Sequence, residues 1–323
     1  MSAEHSPHRA RRWLPWLLGL GLLAGVVYTA FELTEAESFL KLAEQAQPWW
    51  LLAGFGLQAL TYSAQGEVFC LVGRRSHAPV SRWLSYRLSL AKIFVDQAIP
   101  SGGLSGTALI AASLERHHVP RPVVAAAMAV DHATYYAAYV LCLAAALIVL
   151  VVRGEASAPI LAASLGFCLF GAVFGASFLA VAGRPPVRSR WLAHIKPLKA
   201  GLDYLAGADR ELALNGRLLA EALLCQLAIV LLDGSTVWVC IAALGARAAP
   251  AGVFASFMVS SLLRTLGVVP GGLGTYEAAS VLTLKTVGVA IPVALSATLL
   301  FRGLSFWLPL LPGLWLSRHA VRR

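Results

Sequence analysis

Residues 100–106, PSGGLSG, and residues 270–274, PGGLG, interrupt two stretches of the chain that are otherwise apolar enough to enter a bilayer. Pro100 and Pro270 open these breaks, and at the same interval after each of them stands another proline, Pro122 and Pro292. Backbone groups freed by such breaks cannot face lipid, because hydrocarbon offers no hydrogen-bonding partner, so they must line protein or a polar cavity. Paired breaks in two halves of a chain are typical of transporters that bind their substrate near the membrane centre.

The composition places the chain among integral membrane proteins. Hydrophobic residues make up 58% of it and charged residues 13%, against about 25% charged residues in soluble domains. We therefore predict an all-α, polytopic helix bundle that forms a single membrane domain over residues 1–323. The five cysteines lie in or beside apolar stretches without the spacing of metal ligands, so we expect no metal and no cofactor. The basic residues behind the net charge of +10 lie mainly between the apolar stretches, as in the loops of a membrane protein. We therefore expect no nucleic-acid partner.

Six apolar stretches are long enough to cross a hydrocarbon core of about 30 Å. We interpret the first as a retained span rather than a cleaved signal peptide, because it is longer than a typical signal segment and lacks a clear cleavage site. The two glycine-broken regions, 83–118 and 251–288, each contain two short apolar halves and are predicted to form re-entrant or kinked helical hairpins. The six predicted spans are about 13–31, 48–72, 122–152, 159–182, 218–243 and 291–316.

The basic residues predict the sidedness of the chain. Arginines precede the first span and acidic residues follow it, which places the N-terminus in the cytoplasm. The loop 183–217 carries seven Lys or Arg residues among apolar ones and is predicted to be a cytoplasmic, basic amphipathic segment against anionic lipid. The C-terminus is then cytoplasmic as well. We expect a multi-pass protein of the bacterial inner membrane.

Three full spans separate the two hairpins, and an odd number of spans reverses the direction of the chain. The two broken units should therefore form an inverted repeat, with cores at 83–152 and 251–316. Inverted repeats commonly place substrate sites near the membrane centre. The alternative is that the proline–glycine breaks only kink two helices for packing.

Ionisable side chains within apolar segments are the strongest candidates for function. Each costs at least ~2.5–3.5 kcal/mol at the middle of a membrane helix, so it is expected to have a partner or a task. Cations and helix N-termini would bind the phosphate of a lipid headgroup, and carboxylates would bind an amine. The alternative is that the charges form purely structural buried ion pairs. The predicted substrate-binding residues are Asp96, Pro100, Gly102, Gly103, Asp131, His132, Tyr135, Arg264, Pro270, Gly271, Gly272, Glu277 and Arg302.

The two units differ in charge. When Pro100 is aligned with Pro270, His132 corresponds to Arg302. Acidic groups of one unit would pair with basic groups of the other, and the helices after the two breaks would present free N–H groups to a phosphate. Asp233 and Glu67 rank lower, because a lone acid in a helix bundle commonly bonds neighbouring hydroxyl groups.

The second unit, VVPGGLGTYEAASVLTLKTVGV followed by ALSATLLFRGLSFWLPLLPGLW, resembles the C-terminal signature of the lysylphosphatidylglycerol synthase transmembrane family. The Pro-Gly-Gly-Leu-Gly turn, Glu277 and Arg302 carry the resemblance, and Asp131 matches the acidic residue of the earlier unit. The resemblance implies a flippase-like membrane domain. The chain ends at Arg323 without the soluble acyltransferase-like domain of the fused members, so we expect no synthase activity.

The resemblance implies that the partner is a membrane lipid: an anionic or aminoacylated phospholipid, or a lipid-linked intermediate. The preferred hypothesis is a flippase-like transporter that moves or binds such a lipid between leaflets. The alternative is a non-transporting accessory subunit or an enzyme of membrane lipid biosynthesis, for example of hopanoids or glycolipids, although no catalytic motif is present. A third interpretation is a scaffold in which the buried charges only stabilise the fold.

Overall fold

A computed structural model describes residues 47–98, 104–154, 157–185, 196–266 and 270–322, and these ranges contain helices and no strand. This confirms the predicted all-α class, while the predicted span 13–31 lies outside the described residues. A 3₁₀ turn, Pro270–Gly272, and a π turn, Gly303–Trp307, accompany the α-helices. The helices are α1 Pro48–Arg75, α2 Arg82–Ala98, α3 Leu104–Arg116, α4 Arg121–Val152, α5 Ala158–Val181, α6 Lys196–Ala206, α7 Arg210–Ala213, α8 Gly216–Ala243, α9 Pro250–Leu266, α10 Thr275–Thr286, α11 Ile291–Arg302 and α12 Leu308–Arg322.

Four helices within the described ranges are long and apolar enough to cross a membrane. They are Arg121–Val152, Ala158–Val181, Gly216–Ala243 and Ile291–Leu316, the last comprising α11, the π turn and most of α12. Proline stands in the first turn of α4, α5 and α11, where its missing N–H costs nothing because that N–H has no partner within the helix. These four apolar helices are consistent with a multi-pass membrane protein, and the count of six full spans stays a prediction.

The helices α1–α4 each have a counterpart later in the chain, at a nearly constant spacing in sequence. In this correspondence α1 matches α8, α2 matches α9, α3 matches α10, and α4 matches the continuous run of α11 and α12. We call α1–α4 the first unit and α8–α12 the second unit. The helices α1 and α8 pack along each other; α2 packs along α12, and α9 packs along α4. In each unit, the helix before the break therefore packs against the long helix of the other unit.

The helices on either side of each break form a hairpin. In the first unit α2 packs on α3, and in the second α9 packs on α10. α3 has 13 residues and α10 has 12, which corresponds to lengths of about 20 and 18 Å. Both are shorter than a hydrocarbon core of about 30 Å. Neither helix is long enough to cross a bilayer alone, and re-entrance itself stays a prediction.

The packing of α2 against α12 depends on a close approach at Gly313. A Cβ atom at this position would lie 2.6 Å from the Cβ of Phe94 and 2.7 Å from the carbonyl oxygen of Leu90. Small residues at such crossings let helix backbones approach closely in membranes, where packing rather than water exclusion drives association. The contact holds the hairpin of the first unit against the long helix of the second.

The predicted amphipathic loop 183–217 contains the two short helices α6 and α7, and its residues 186–195 lie outside the described residues. Tyr204 on α6 donates a hydrogen bond to Glu115 at the end of α3, with 2.7 Å between the oxygens. Partial burial and this bond to the carboxylate raise the pKa of Tyr204. The loop is thereby attached to the first unit.

Candidate functional site

A polar cavity of about 160 Å³ lies between the two units, and we call it the central cavity. Both units contribute to its walls: α1 and α2 from the first, and α8, α9, α11 and the π turn from the second. Four of its residues are acidic or basic residues within apolar helices: Lys92, Asp233, Arg264 and Arg302. The full lining is Gln58, Thr61, Tyr62, Gln65, Lys92, Ile93, Gln97, Ile229, Asp233, Phe257, Arg264, Phe301, Arg302 and Ser305.

Glu277 and Arg302 form a buried ion pair beside the second break. The Nε of Arg302 donates to Oε1 of Glu277 at 2.7 Å, and the side chains are only 3% and 1% exposed. Arg302 Nη2 also donates to the carbonyl of Gly271 at 2.9 Å, and Glu277 Oε2 accepts a bond from the amide of Gly274 at 2.7 Å. The pair therefore joins α11 to the break and to the start of α10.

The two glycines of the second break are required by their surroundings. Gly271 and Gly272 have φ angles of 61° and 65°, in the left-handed region that favours glycine. A Cβ atom on Gly271 would lie 2.2 Å from the ring of Phe306, and one on Gly272 would lie 2.2 Å from Cγ of Arg264. The turn thus gives the Arg264 side chain the space it needs to reach the central cavity. Pro270 precedes them in the 3₁₀ turn.

Asp96 makes bonds at the first break that resemble those of Glu277 at the second. Its Oδ2 accepts a bond from Lys92 Nζ at 3.0 Å, and its Oδ1 accepts a bond from the amide of Gly106 in the first turn of α3 at 2.8 Å. Each break is therefore flanked by a carboxylate that pairs with a cation and accepts an N–H from the start of the following helix. These two N–H groups bond to protein carboxylates rather than facing a ligand. Pro100, Gly102 and Gly103 lie outside the described residues.

Asp131 lies outside the lining of the central cavity and joins three helices. Its Oδ1 accepts bonds from Gln65 Nε2 on α1 at 3.0 Å and from Gln226 Nε2 on α8 at 2.9 Å. The ion pairs found among the predicted residues form within a unit rather than between units. Asp131 instead links the two units through the neutral amide of Gln226.

His132 and Tyr135 also lie beside the cavity rather than in its lining. The Nδ1 of His132 is 3.0 Å from the carbonyl oxygen of Met128, and its Nε2 is 3.4 Å from Oγ1 of Thr107. Tyr135 packs in an aromatic cluster with Tyr136 and Tyr139, at ring-centre distances of 5.3 and 5.0 Å. In the alignment of the two units, the contact of Thr107 with His132 corresponds to the pair of Glu277 with Arg302.

Among the described cations that line the central cavity, Arg264 is the one that forms no ion pair with a carboxylate. Its guanidinium lies 5.9 Å from the ring centre of Tyr276, and no acidic side chain of the described ranges forms an ion pair with it. Asp233, ranked low on sequence grounds, lines the same cavity. Its Oδ1 accepts bonds from Gln58 Nε2 at 2.9 Å and from Thr61 Oγ1 at 3.4 Å.

The sequence-based site contains none of the polar residues that α1 contributes to the cavity lining. Gln58, Thr61, Tyr62 and Gln65 stand at positions i, i+3, i+4 and i+7, the spacing of one helical face. Such a polar stripe in an apolar helix indicates a face turned toward a polar interior. Lys92, Gln97, Asp233 and Ser305 complete the polar lining outside the predicted set.

Comparison with known families gives a match over nearly the whole chain. The family model described as the lysylphosphatidylglycerol synthase TM region matches residues 16–313. A comparison with curated proteins gave no match. The family match confirms the resemblance carried by the second break, Glu277 and Arg302.

Proposed function

Because the chain belongs to the lysylphosphatidylglycerol synthase transmembrane family, we propose that it binds a lipid headgroup in the central cavity and passes it between leaflets of the inner membrane. The family makes it a membrane protein connected with lipids. The flippase-like activity is our proposal, and it involves no catalytic step. One observation carries it: Arg264 faces a polar cavity between the units and has no carboxylate partner among the described residues.

The size of the central cavity favours a headgroup as the guest. Sites for drug-sized molecules have volumes of about 300–1,000 Å³, whereas this cavity has about 160 Å³. A phosphate with a short substituent is commensurate with that space, and two acyl chains are not. The tails would stay in the surrounding lipid while the headgroup crosses the protein.

The charge of Arg264 gives the headgroup a binding partner. A guanidinium presents several N–H donors in a plane and bonds phosphate oxygens in a bidentate manner. An arginine at this depth costs free energy to bury unless it is paired, and a phosphate would supply the missing partner. Arg302 is already bonded to Glu277 and Gly271, so its role is to position the second break beside the cavity.

The arrangement of the breaks supports movement of the guest between the leaflets. The two hairpins meet the long helices of the opposite units, and the central cavity lies between those units. Rocking one unit against the other would open the cavity to one leaflet and then to the other, the usual form of alternating access in repeat-built transporters. The sequence has no nucleotide-binding motif, so we propose passive exchange or exchange coupled to an ion gradient.

Reconstitution tests this proposal. The purified protein is placed in liposomes that contain lipids labelled on an acyl chain, and a membrane-impermeant quencher reports how much label reaches the outer leaflet. We expect fast exchange with the wild type and exchange reduced by about 10–100-fold in Arg264→Gln, the range given by the loss of a hydrogen bond to a charged group. Arg184→Gln is the matched control, because Arg184 is exposed and lies outside the cavity.

Two results would contradict the proposal. Wild-type protein that leaves leaflet exposure unchanged across a broad panel of phospholipids would exclude exchange activity. Equal exchange in wild type and in Arg264→Gln would exclude the central cavity as its site. In the first case, lipid analysis of a deletion strain would then test the biosynthetic alternative: a missing lipid favours an enzyme or accessory subunit.

A further inference from the structure

Two of the three cations that line the central cavity are paired with nearby carboxylates. One cation and one carboxylate of the lining are left without an ion pair. Lys92 is paired with Asp96 at 3.0 Å, and Arg302 is paired with Glu277 at 2.7 Å. These two cations are thus neutralised by carboxylates beside the cavity. Arg264 and Asp233 remain; they attract each other electrostatically within the cavity lining but form no contact ion pair, and neither pairs with another described residue.

Both remaining groups have unused bonding capacity toward the cavity. Arg264 makes a ring contact with Tyr276 and no ion pair within the described ranges. Asp233 uses Oδ1 for its bonds to Gln58 and Thr61, and no described residue donates to its Oδ2. Gln97 adds a further acceptor, because its buried Oε1 has no hydrogen-bonding partner among the described residues. The cavity therefore offers a cation and separate acceptors at the same time.

We propose that the central cavity selects a zwitterionic headgroup in which a phosphate and a primary ammonium are joined by a short linker. This inference rests on the proposed function and specifies the substrate class of the same site. Arg264 bonds the phosphate, and Asp233 with Gln97 accepts N–H bonds from the ammonium. The phosphoethanolamine group has this chemistry.

Charge balance is the physical reason for the selection. A zwitterion brings one charge of each sign to a cavity with one free charge of each sign, so no net charge is added inside the membrane. An anionic headgroup without an amine would bond to Arg264. Asp233 would then have no cation to pair with, and its negative charge would repel the headgroup. A site that leaves a buried polar group unpaired with the wrong guest discriminates strongly against that guest.

The test compares phospholipids with and without a headgroup ammonium. Acyl-labelled phosphatidylethanolamine, phosphatidylglycerol and N-acylated phosphatidylethanolamine are each placed in proteoliposomes with wild-type protein. The last probe keeps the phosphate and lacks the ammonium charge. We expect phosphatidylethanolamine to exchange about tenfold faster than either anionic lipid. Equal rates for the three lipids would overturn the inference.

The variant Asp233→Asn tests whether Asp233 determines the preference for a headgroup with an ammonium. Asparagine still accepts the bonds from Gln58 and Thr61, so the fold is expected to survive. We expect the preference for phosphatidylethanolamine to fall about tenfold and to approach unity. Asp203→Asn removes an exposed carboxylate outside the cavity and should keep the wild-type preference. An unchanged preference in folded Asp233→Asn protein would refute the role of Asp233.

A binding measurement separates this inference from the transport proposal. Thermal unfolding in detergent is recorded with short-chain phosphatidylethanolamine, short-chain phosphatidylglycerol and soluble phosphoethanolamine. Stabilisation by the first lipid alone, lost in Asp233→Asn, supports the zwitterionic site even if no lipid is exchanged. Stabilisation by phosphoethanolamine as well would identify a free metabolite as a second source of the same chemistry. Equal stabilisation by both lipids would overturn the inference even if exchange occurs.

Discussion

Replacing Glu277 by glutamine would leave the guanidinium of Arg302 buried without its counter-charge. The side chain of Arg302 is only 3% exposed and that of Glu277 1%. Removing one partner of such a buried pair costs about 3–5 kcal/mol of unfolding free energy, because the other charge stays desolvated. We expect Glu277→Gln and Arg302→Met each to lose that amount.

The double variant Glu277→Gln/Arg302→Met tests the pairing more directly than either single variant. With both charges removed, neither side chain is an unpaired ion, so the loss should be well below the sum of the two single losses. We expect a coupling energy of about 2–3 kcal/mol in the double-mutant cycle. The measurement is reversible unfolding in mixed micelles, followed by tryptophan fluorescence as the fraction of denaturing detergent rises.

Arg217→Gln is the control for this cycle. Arg217 also pairs with a glutamate, Glu221, but its side chain is 83% exposed, and exposed pairs contribute little because water screens them. We expect no measurable change in this variant. A loss below about 1 kcal/mol in Glu277→Gln, or additive losses in the cycle, would refute the assignment of Arg302 and Glu277 as a clamp on the second break.

Three further changes test the geometry around the cavity. Gly272→Ala should reduce leaflet exchange at least tenfold, because its Cβ would displace Arg264 and strain a left-handed φ; wild-type exchange would show that the Arg264 position is not needed. Gly313→Val should lose about 1–3 kcal/mol of stability through overlap with Phe94 on α2, measured by the same unfolding assay, and an unchanged stability would contradict the packing of α2 on α12. Asp131→Asn should lose about 1 kcal/mol and keep the lipid preference, because Asp131 lies outside the lining; a changed preference would place it in the site.

The fold could be predicted well from the sequence because its signals are local. The run 121–152 forms a helix since its apolar residues are continuous and a proline stands at its start. The breaks could be located for the same reason, since glycine and proline act within a few residues. The matching lengths of corresponding helices in the two units follow from the same local signals.

The site was less predictable because its contacts are long-range. Asp233 is a lone acid in its stretch of the sequence, and nothing near it shows that its partners are Gln58 and Thr61, which lie 175 and 172 residues earlier. Glu277 and Arg302 were both identified, but only the structure shows that they bond to each other and to the turn. The residues that bring charge into the membrane can be recognised locally, whereas the choice of partner is decided by packing.

The exchange of helices between the units bears on how the protein unfolds. The helix before each break has its long neighbour in the other unit, as α2 has α12 and α9 has α4. A state with one unit folded and the other unfolded would therefore strip each remaining hairpin of the surface against which it packs. The two halves of the chain should unfold as one cooperative element, without a half-folded intermediate.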